Sequence, residues 1–445
     1  MFRTDKEALS IEEIKAYIER HKKECGRYIK LQKYYEGKHD ILDQQKDKNV
    51  PNNKIVNPYP KYITDVLTGY FIGQPVLYSA VDNVSSEDDE LLKRLLEVFK
   101  YNDEQEENAD IAKTCSIKGK AFEILWMDED SQLRFTNLQP DEVFFIYDTS
   151  LENNIRFAVR YYEVKIDTKT VEFIELYDKD KVCYYNNRSG SMNLDREESH
   201  FFGDVPLILY ENNKEQMGDF EPVISLIDAY DLSQSNTLND MEQFTDAYLV
   251  LVNMHGTDED DIAELREDRI LLVDDNGDAK WLIKDVNDAW VENYKNRIKQ
   301  DIHKFSATPD MTDDNFGSNL SGVSLRYKLI AMEQLRSVKE RKFKKGLQRR
   351  IELICNILKI TNKEVMFTGI GMQFNNALPQ NILEISQVIQ NLSPYLSVET
   401  LIEQLPFVEN AKEELEKRSA EQQDLIDDGY DKLKDQLPAV RDGEE

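Results

Sequence analysis

Three adjacent segments of the chain read DVNDAWVENYKNRIKQDIHKF (residues 285–305), SATPDMTDDNFGSNL (306–320) and SGVSLRYKLIAMEQLRSVKERKFKKGLQRRIELICNIL (321–358). The first carries an apolar stripe at spacing four, from Trp290 to Ile302, which predicts a helix. The third is apolar at helical spacing over a longer stretch, so one of its faces is expected to pack against a core. The middle segment combines Pro309 and Gly317 with several Asp, Asn, Ser and Thr, a composition that favours turns. Two helices joined by a polar loop are therefore predicted.

The third segment is strongly basic. Between residues 326 and 350 it holds ten Lys and Arg against two acidic residues, Glu333 and Glu340, in a chain of formal net charge -30. Like charges at i,i+4 spacing on one helix repel each other, so this segregation requires a counter-charge. The pattern leaves two sources open, either acidic parts of the same chain or its neighbours, or a nearby polyanion. The candidate residues are Lys339, Arg341, Lys342, Lys344, Lys345, Arg349 and Arg350.

The length and charge of the chain limit what it can be. Its 445 residues suffice for two or three cored regions at ~150 residues per domain. Hydrophobic residues make up 40% and charged residues 32%, so cores can form beneath a highly charged surface. The excess of acidic residues argues against a protein that coats duplex DNA, because coating requires a basic face. Any contact with DNA is expected to be local or weak.

Cysteine spacing and hydropathy indicate the compartment. The four cysteines (Cys25, Cys115, Cys183 and Cys355) form no CxxC pair, which favours neither a zinc ribbon nor a disulfide framework and fits a reducing compartment. The N-terminal residues are charged throughout and no run of 18 apolar residues occurs. We therefore expect no secretion signal and no membrane contact.

Local patterns predict the other elements. Ser10 and Glu13 form a capping box, which predicts a helix from there to about Tyr35. Apolar and β-branched runs between residues 121 and 185, separated by Asp, Asn and Gly, predict an antiparallel β region. Helices are predicted to resume near residue 221 and to continue through Leu251. The remaining helices are predicted at residues 61–70, 86–100, 103–117, 380–392, 397–405 and 409–437.

A small insertion is predicted at residues 254–284. Two short apolar runs, residues 270–273 and 281–283, flank Asn276-Gly277, and this dipeptide is a strong hairpin signal. An acidic run of Asp258, Glu259, Asp260 and Asp261 precedes them. Oxygen-rich clusters suit Mg²⁺ or Ca²⁺, but the sequence offers no second ligand cluster, and a calcium-loop alignment puts Leu272 where a carboxylate is required. An acidic turn is the preferred interpretation, with no metal site, no cofactor and no catalytic motif expected.

Several motifs resemble one known family. NNKIVN (52–57) is followed by KYITDVLTGYFIGQP (61–75), and later by IHKFS (302–306), Pro309-Asp310, NFG (315–317), SGVSLRYKL (321–329), ERKFKKG (340–346) and LPFV (405–408). Each motif alone is weak. In this order they resemble the SPP1-type family of bacteriophage portal proteins.

The resemblance implies an α+β portal fold assembled as a ring of about twelve subunits. The implied regions are an α/β wing (1–220), wing-to-stem helices (221–253), a small β-containing clip (254–284), a second stem helix (285–305), a tunnel loop (306–320), a long basic wing helix with the segment after it (321–376), and a helical crown (377–445). The protein would be a structural conduit for DNA packaging, retention and ejection, and not an enzyme.

The resemblance also implies partners and site residues. Double-stranded DNA would pass the tunnel loop, whose candidate residues are Thr308, Asp310, Asp313, Asp314, Asn315 and Asn319. The clip would dock other proteins through Asp258, Glu259, Asp260, Asp261, Asn276 and Gly277. The expected partners are the terminase large subunit, a head-completion or adaptor protein, the scaffolding protein and the major capsid protein. The expected location is the portal vertex of the virion, after assembly in the host cytoplasm.

Two other interpretations remain open from the residues alone. A non-viral homo-oligomeric adaptor would use the polar loop and the hairpin to bind proteins. A metal-dependent nuclease or hydrolase would use the acidic run at residues 258–261.

Overall fold

The computed structural model describes residues 1–47, 50–80, 86–245, 248–252, 278–282, 288–311, 327–359, 370–375 and 382–402, together with residues 405, 408, 411, 414, 415 and 417–421. The chain divides into two compact units, Met1–Phe316 with Lys328–Ala377, and Gly317–Tyr327 with Leu378–Glu445. Helices and sheets are both prominent, so the predicted α+β class is confirmed.

The described helices follow the predicted order. They are α1 (Ile11–Tyr35), α2 (Tyr59–Ile72), α3 (Ser86–Tyr101), α4 (Glu104–Lys118), α5 (Ile224–Thr245), α6 (Asp288–Phe305), α7 (Ile330–Lys359), α8 (Ile382–Leu392) and α9 (Val398–Ile402). The capping box before α1 is confirmed, because Ser10 Oγ accepts from the Glu13 backbone N–H and the Glu13 carboxylate accepts from the Ser10 N–H. The other confirmed feature is the buried face of α7, which includes Met332, Phe343 and Leu347.

The strands within the described residues form four sheets. They are β1 (Phe2–Arg3), β2 (Val76–Ala80), β3 (Lys120–Met127), β4 (Leu133–Leu138), β5 (Val143–Tyr147), β6 (Ile155–Ile166), β7 (Lys169–Tyr177), β8 (Lys181–Asn186), β9 (Asn193–Ser199), β10 (Leu207–Glu211), β11 (Tyr248–Val252), β12 (Asp278–Leu282) and β13 (Ile370–Phe374). A six-stranded sheet has the order β1-β5-β6-β7-β8-β9, and a three-stranded sheet has the order β10-β3-β4. The pairs β11-β12 and β13-β2 complete the set.

Four layers stack in the first unit, and β5 shows why. Its side chains alternate between two cores: Phe144 and Ile146 pack with α1, while Val143 and Phe145 pack with the three-stranded sheet. The opposite face of the three-stranded sheet packs on α7 through a third core. The order is therefore α1, six-stranded sheet, three-stranded sheet, α7. This arrangement buries α7 against the sheet along the middle of its length.

One helix prediction was wrong. We expected helix through Leu251, but α5 ends at Thr245 and Tyr248–Val252 forms β11, which pairs antiparallel with β12. The YLVLV sequence of β11 is aromatic and β-branched, and the sheet partner favours the extended form of such residues. The strand predicted at residues 281–283 is the end of β12 shifted by a few residues. Its predicted partner at 270–273, and Asn276-Gly277, lie outside the described residues.

A glycine in α7 sets how closely that helix approaches the sheet. A Cβ on Gly346 would lie 2.3 Å from Tyr210 Cε1 and 2.4 Å from Tyr210 Cδ1. Tyr210 in β10 is fully buried and its hydroxyl donates to Glu123 Oε2 over 2.9 Å, so the ring has little room to move. The glycine is therefore required by helix-to-sheet packing.

We expect Gly346→Ala to lower the free energy of unfolding by about 1–3 kcal/mol, because it overpacks this contact. Gly26→Ala is the matched control: Gly26 lies on the exposed side of α1, and a Cβ there would meet no neighbour within 4 Å. Alanine at that position should stabilise the protein by about 0.5–1 kcal/mol through helix propensity. Urea denaturation of the two variants at equal protein concentration measures both changes. A stabilising Gly346→Ala would contradict the packing described.

Candidate functional site: the loop root and the basic helix

The polar loop predicted at residues 306–320 begins with a compact turn. Residues 306–311, here called the loop root, fold back on the end of α6: the Ser306 N–H donates to the Ile302 carbonyl (3.0 Å) and the Thr308 N–H to the His303 carbonyl (3.2 Å). Ala307 takes a left-handed backbone conformation, with φ of 53°. Ser306 and Thr308 are buried. The start of the loop is therefore part of the folded body.

Helix α2 holds the loop root from the other side. The Tyr62 hydroxyl donates to the Pro309 carbonyl (2.9 Å) and accepts from the Met311 N–H (3.0 Å). His303 Nδ1 lies 3.0 Å from the Thr308 carbonyl oxygen, and the His303 ring lies edge-on to the rings of Tyr59 and Tyr62. Two hydrogen bonds from a single phenol thus position successive parts of the loop root.

The candidate tunnel-loop residues divide into three groups. Thr308 is fully buried, and its hydroxyl donates to the Ser306 carbonyl. Asp310 is mostly buried. Its carboxylate pairs with Lys299 Nζ at 2.8 Å and lies 3.9 Å from His303 Nε2. Turn formation at the end of α6 draws both residues inward. Asp313, Asp314, Asn315 and Asn319 lie outside the described residues.

The basic helix α7 carries a buried ion cluster. Arg350 is fully buried, with Nη2 2.7 Å from Glu123 Oε1 and Nε donating to Glu123 Oε2 over 3.0 Å. Its Nη1 donates to Asn108 Oδ1 (2.8 Å) and to Glu104 Oε1 (3.2 Å). Burial raises the pKa of the Glu123 carboxyl, and the Arg350 guanidinium opposes that rise. The guanidinium therefore favours the ionised form of this carboxyl inside the core, against the effect of burial.

Other basic residues of α7 also pair within the chain. Lys339 is buried, and its Nζ lies 2.5 Å from both Asp219 Oδ2 and Asn212 Oδ1. Further ion pairs join Arg336 to Glu333 (2.8 Å) and Glu340 (2.9 Å), Lys342 to Glu211 (2.7 Å), and Arg349 to Asp204 (2.8 Å) and Glu352 (2.9 Å). These pairs identify acidic residues of the same chain as one source of the counter-charge.

The other three candidate residues of the basic helix have different surroundings from those of the ion-paired residues. Lys344 Nζ donates to the Met372 carbonyl oxygen over 3.3 Å. Arg341 and Lys345, one turn apart, are exposed. Only a small part of the positive charge that the sequence of this helix suggests is therefore exposed to solvent.

The NNKIVN motif (52–57) has a structural role that its residues alone did not reveal. It runs beside α5, and alternate backbone N–H groups donate to side chains spaced four residues apart on the helix: Asn53 to Asn239 Oδ1 (2.7 Å), Ile55 to Ser235 Oγ (2.9 Å) and Asn57 to Asp231 Oδ1 (2.8 Å). Two extended residues advance about 6.6 Å and four helical residues about 6 Å. The spacing of the donors along the extended motif therefore matches the spacing of the acceptors along the helix.

Asp231 has a second partner that strengthens this attachment. Its Oδ2 lies 2.5 Å from His39 Nδ1, and both side chains are fully buried. Polar residues at i, i+4 and i+8 on the inner face of α5 were the sequence signal for this contact. The motif thus fixes the helix that leads toward the predicted clip.

The candidate clip residues (Asp258, Glu259, Asp260, Asp261, Asn276 and Gly277) lie outside the described residues. Within the described ranges, no group of three or more His, Cys, Asp or Glu side chains is placed to hold a metal ion. Among the helices that the structure describes, none combines the length and apolar character needed to cross a membrane.

Comparison with known proteins identifies the class. The family model described as "Phage portal protein, SPP1 Gp6-like" matches residues 14–428. Since this match spans nearly the whole chain, the chain belongs to the SPP1 Gp6-like family of phage portal proteins. This family is structural and not enzymatic.

Two relatives align with this chain over most of its length. The portal protein of Bacillus phage SPP1 is 25% identical over 430 residues, covering 90% of this chain and 84% of that protein. The portal protein of Clostridium phage phiCD119 is 23% identical over 437 residues, covering 91% and 94%. The family assignment favours a viral portal over both the non-viral adaptor and the metal-dependent hydrolase.

Proposed function

We propose that about twelve copies of this chain form a ring at one vertex of the phage capsid, through which double-stranded DNA is packaged, retained and later ejected. The observation that carries the proposal is the family match over residues 14–428. The ring is a conduit and a docking platform and has no catalytic step of its own.

The charge distribution supports a conduit over a DNA clamp. The chain has a net charge of -30, and the α7 ion pairs already occupy Lys339, Lys342, Arg349 and Arg350. A channel that lets DNA slide must avoid binding phosphates at many points, because each neutralised phosphate adds affinity. An acidic bore, with Asp313 and Asp314 in the tunnel loop, meets this requirement.

Exposed aromatic residues on α6 supply surface for assembly. Trp290 and Tyr294 stack on each other with ring centroids 5.8 Å apart, and they are 65% and 45% exposed. Large exposed aromatic pairs on a helix are costly in water and are commonly buried between subunits. A ring uses heterologous contacts, so this face would pack against a different face of the next copy.

The proposed clip and the remaining partners complete the assignment. Residues 254–284, with the acidic run at 258–261, would dock the terminase large subunit during packaging and a head-completion or adaptor protein afterwards. The scaffolding protein and major capsid protein would contact the ring during assembly in the host cytoplasm, before it becomes part of the virion. We propose the tunnel loop, clip and crown with the boundaries predicted from the sequence, and the loop root (306–311) is the first part of the tunnel loop.

Native mass spectrometry and electron microscopy of the purified protein test the assembly. We expect closed rings with a central hole, and we expect Trp290→Lys with Tyr294→Lys to shift the protein to smaller species. Leu151→Lys is the control, since Leu151 is 98% exposed and lies in a turn far along the chain from α6. A parent protein that stays monomeric at every concentration and salt condition would contradict the proposal.

A further inference from the structure

Helix α2 contacts the chain on both sides of the tunnel loop, at the loop root and, beyond the loop, at α7. On the N-terminal side, the Tyr62 hydroxyl bonds the loop root at Pro309 and Met311. On the C-terminal side, the Tyr70 hydroxyl donates to Glu333 Oε2 over 2.6 Å, and Glu333 lies in the first turn of α7. One short helix therefore contacts the chain before and after the loop.

Helix α2 is suited to act as a rigid spacer. Tyr62 and Tyr70 are eight residues apart, which is about 12 Å along a helix axis. Between them, Ile63 and Leu67 are buried. A helix held by buried apolar residues keeps its length and direction, since cores are close-packed.

Each attachment is reinforced by a neighbour. His303 packs edge-on to the Tyr62 ring while its Nδ1 lies 3.0 Å from the Thr308 carbonyl oxygen, so the loop root is held both by the phenol and by the end of α6. Glu333 is held by Arg336, with Nη2 to Oε1 at 2.8 Å. The two tyrosines thus bond to groups that are themselves fixed.

We propose that α2 is a brace that positions the tunnel loop, with Tyr62 and Tyr70 as positioning residues at its two ends. Neither residue needs to touch DNA. The brace acts by fixing the loop root, where the loop leaves α6, relative to the first turn of α7, which follows the loop, and so sets how far the loop reaches into the channel. This inference rests on the proposed function only for the identity of what the loop meets.

Tyr62→Phe tests the brace with minimal disturbance, because it removes both hydrogen bonds and keeps the ring. Amide hydrogen exchange of residues 306–311, measured by mass spectrometry on the purified protein, should become about tenfold faster if the Met311 N–H loses its partner. Tyr35→Phe is the matched control: its hydroxyl donates to Asp65 Oδ1 of α2 over 2.8 Å but does not contact the loop root. This control should leave exchange at residues 306–311 unchanged.

A packaging assay supplies the second readout. We expect Tyr62→Phe and Tyr70→Phe rings to assemble normally but to package or retain several-fold less DNA, whereas Tyr35→Phe rings match the parent. Equal exchange at residues 306–311 in Tyr62→Phe and Tyr35→Phe would overturn the brace and leave the proposed function standing. Faster exchange with unchanged packaging would overturn the positioning role. Parent rings that pass no DNA would refute the proposed function, while the exchange measurement would still report on the brace.

Discussion

Arg350→Met is expected to lower the free energy of unfolding by about 3–5 kcal/mol, because it leaves the buried Glu123 and Glu104 without their cation. Methionine fills much of the same volume, so the loss reports on charge more than on packing. Urea denaturation at a fixed protein concentration measures the change.

Arg341→Met is the matched control for this prediction. Arg341 lies on the same helix but is exposed, so its removal should alter stability by no more than about 0.5 kcal/mol. Equal effects of the two substitutions would show that the buried cluster contributes little. Replacing Glu123 by Leu in the Arg350→Met background should restore part of the loss, since the unpaired carboxylate is then gone.

The same variant should show a characteristic pH dependence. Burial raises the pKa of Glu123, and removing the opposing guanidinium raises it further. A carboxyl whose pKa is higher in the folded than in the unfolded state binds more protons when folded, so stability increases as the pH falls. The stability deficit of Arg350→Met relative to the parent should therefore shrink at lower pH, as Glu123 becomes protonated. A deficit that grows at lower pH would contradict this explanation.

Asp313→Lys combined with Asp314→Lys is expected to slow or stall DNA packaging while ring assembly stays normal. The change replaces acidic rings in the proposed bore by basic ones, and each lysine near a phosphate adds salt-dependent affinity. The effect should be largest at low salt and should weaken as the Debye length falls from about 10 Å at 0.1 M to about 3 Å at 1 M. Packaging rate as a function of ionic strength is the measurement.

A control with the same charge change separates local from general electrostatics. Glu152→Lys with Glu163→Lys adds equal charge at exposed positions of the strand region. This control should package at the parent rate if the tunnel loop lies against DNA. Equal slowing by both double variants would indicate a general charge effect, and parent-like packaging by the loop variant at low salt would remove the loop from the mechanism.

The local elements were predictable because their signals are carried by near neighbours. The capping box at Ser10 and Glu13 and the apolar stripe of α7 depend on residues three or four apart, and the structure confirms both. The helix prediction at Tyr248–Val252 was wrong because the apolar residues there also fit a continued helix, and only pairing with β12 made the strand the favoured state.

The sequence by itself determined the helical periods, the predominantly antiparallel β region, the excess of acidic charge and the family. Only the tertiary structure decided which acid neutralises Arg350 and which side chains accept hydrogen bonds from the backbone N–H groups of NNKIVN. It also decided that Thr308 is buried and that β1 pairs parallel with β5. Glu123 and Arg350 are 227 positions apart, and no local pattern in either segment specifies the other. Such partners are chosen when packing brings distant elements together and burial requires each polar group to find a partner.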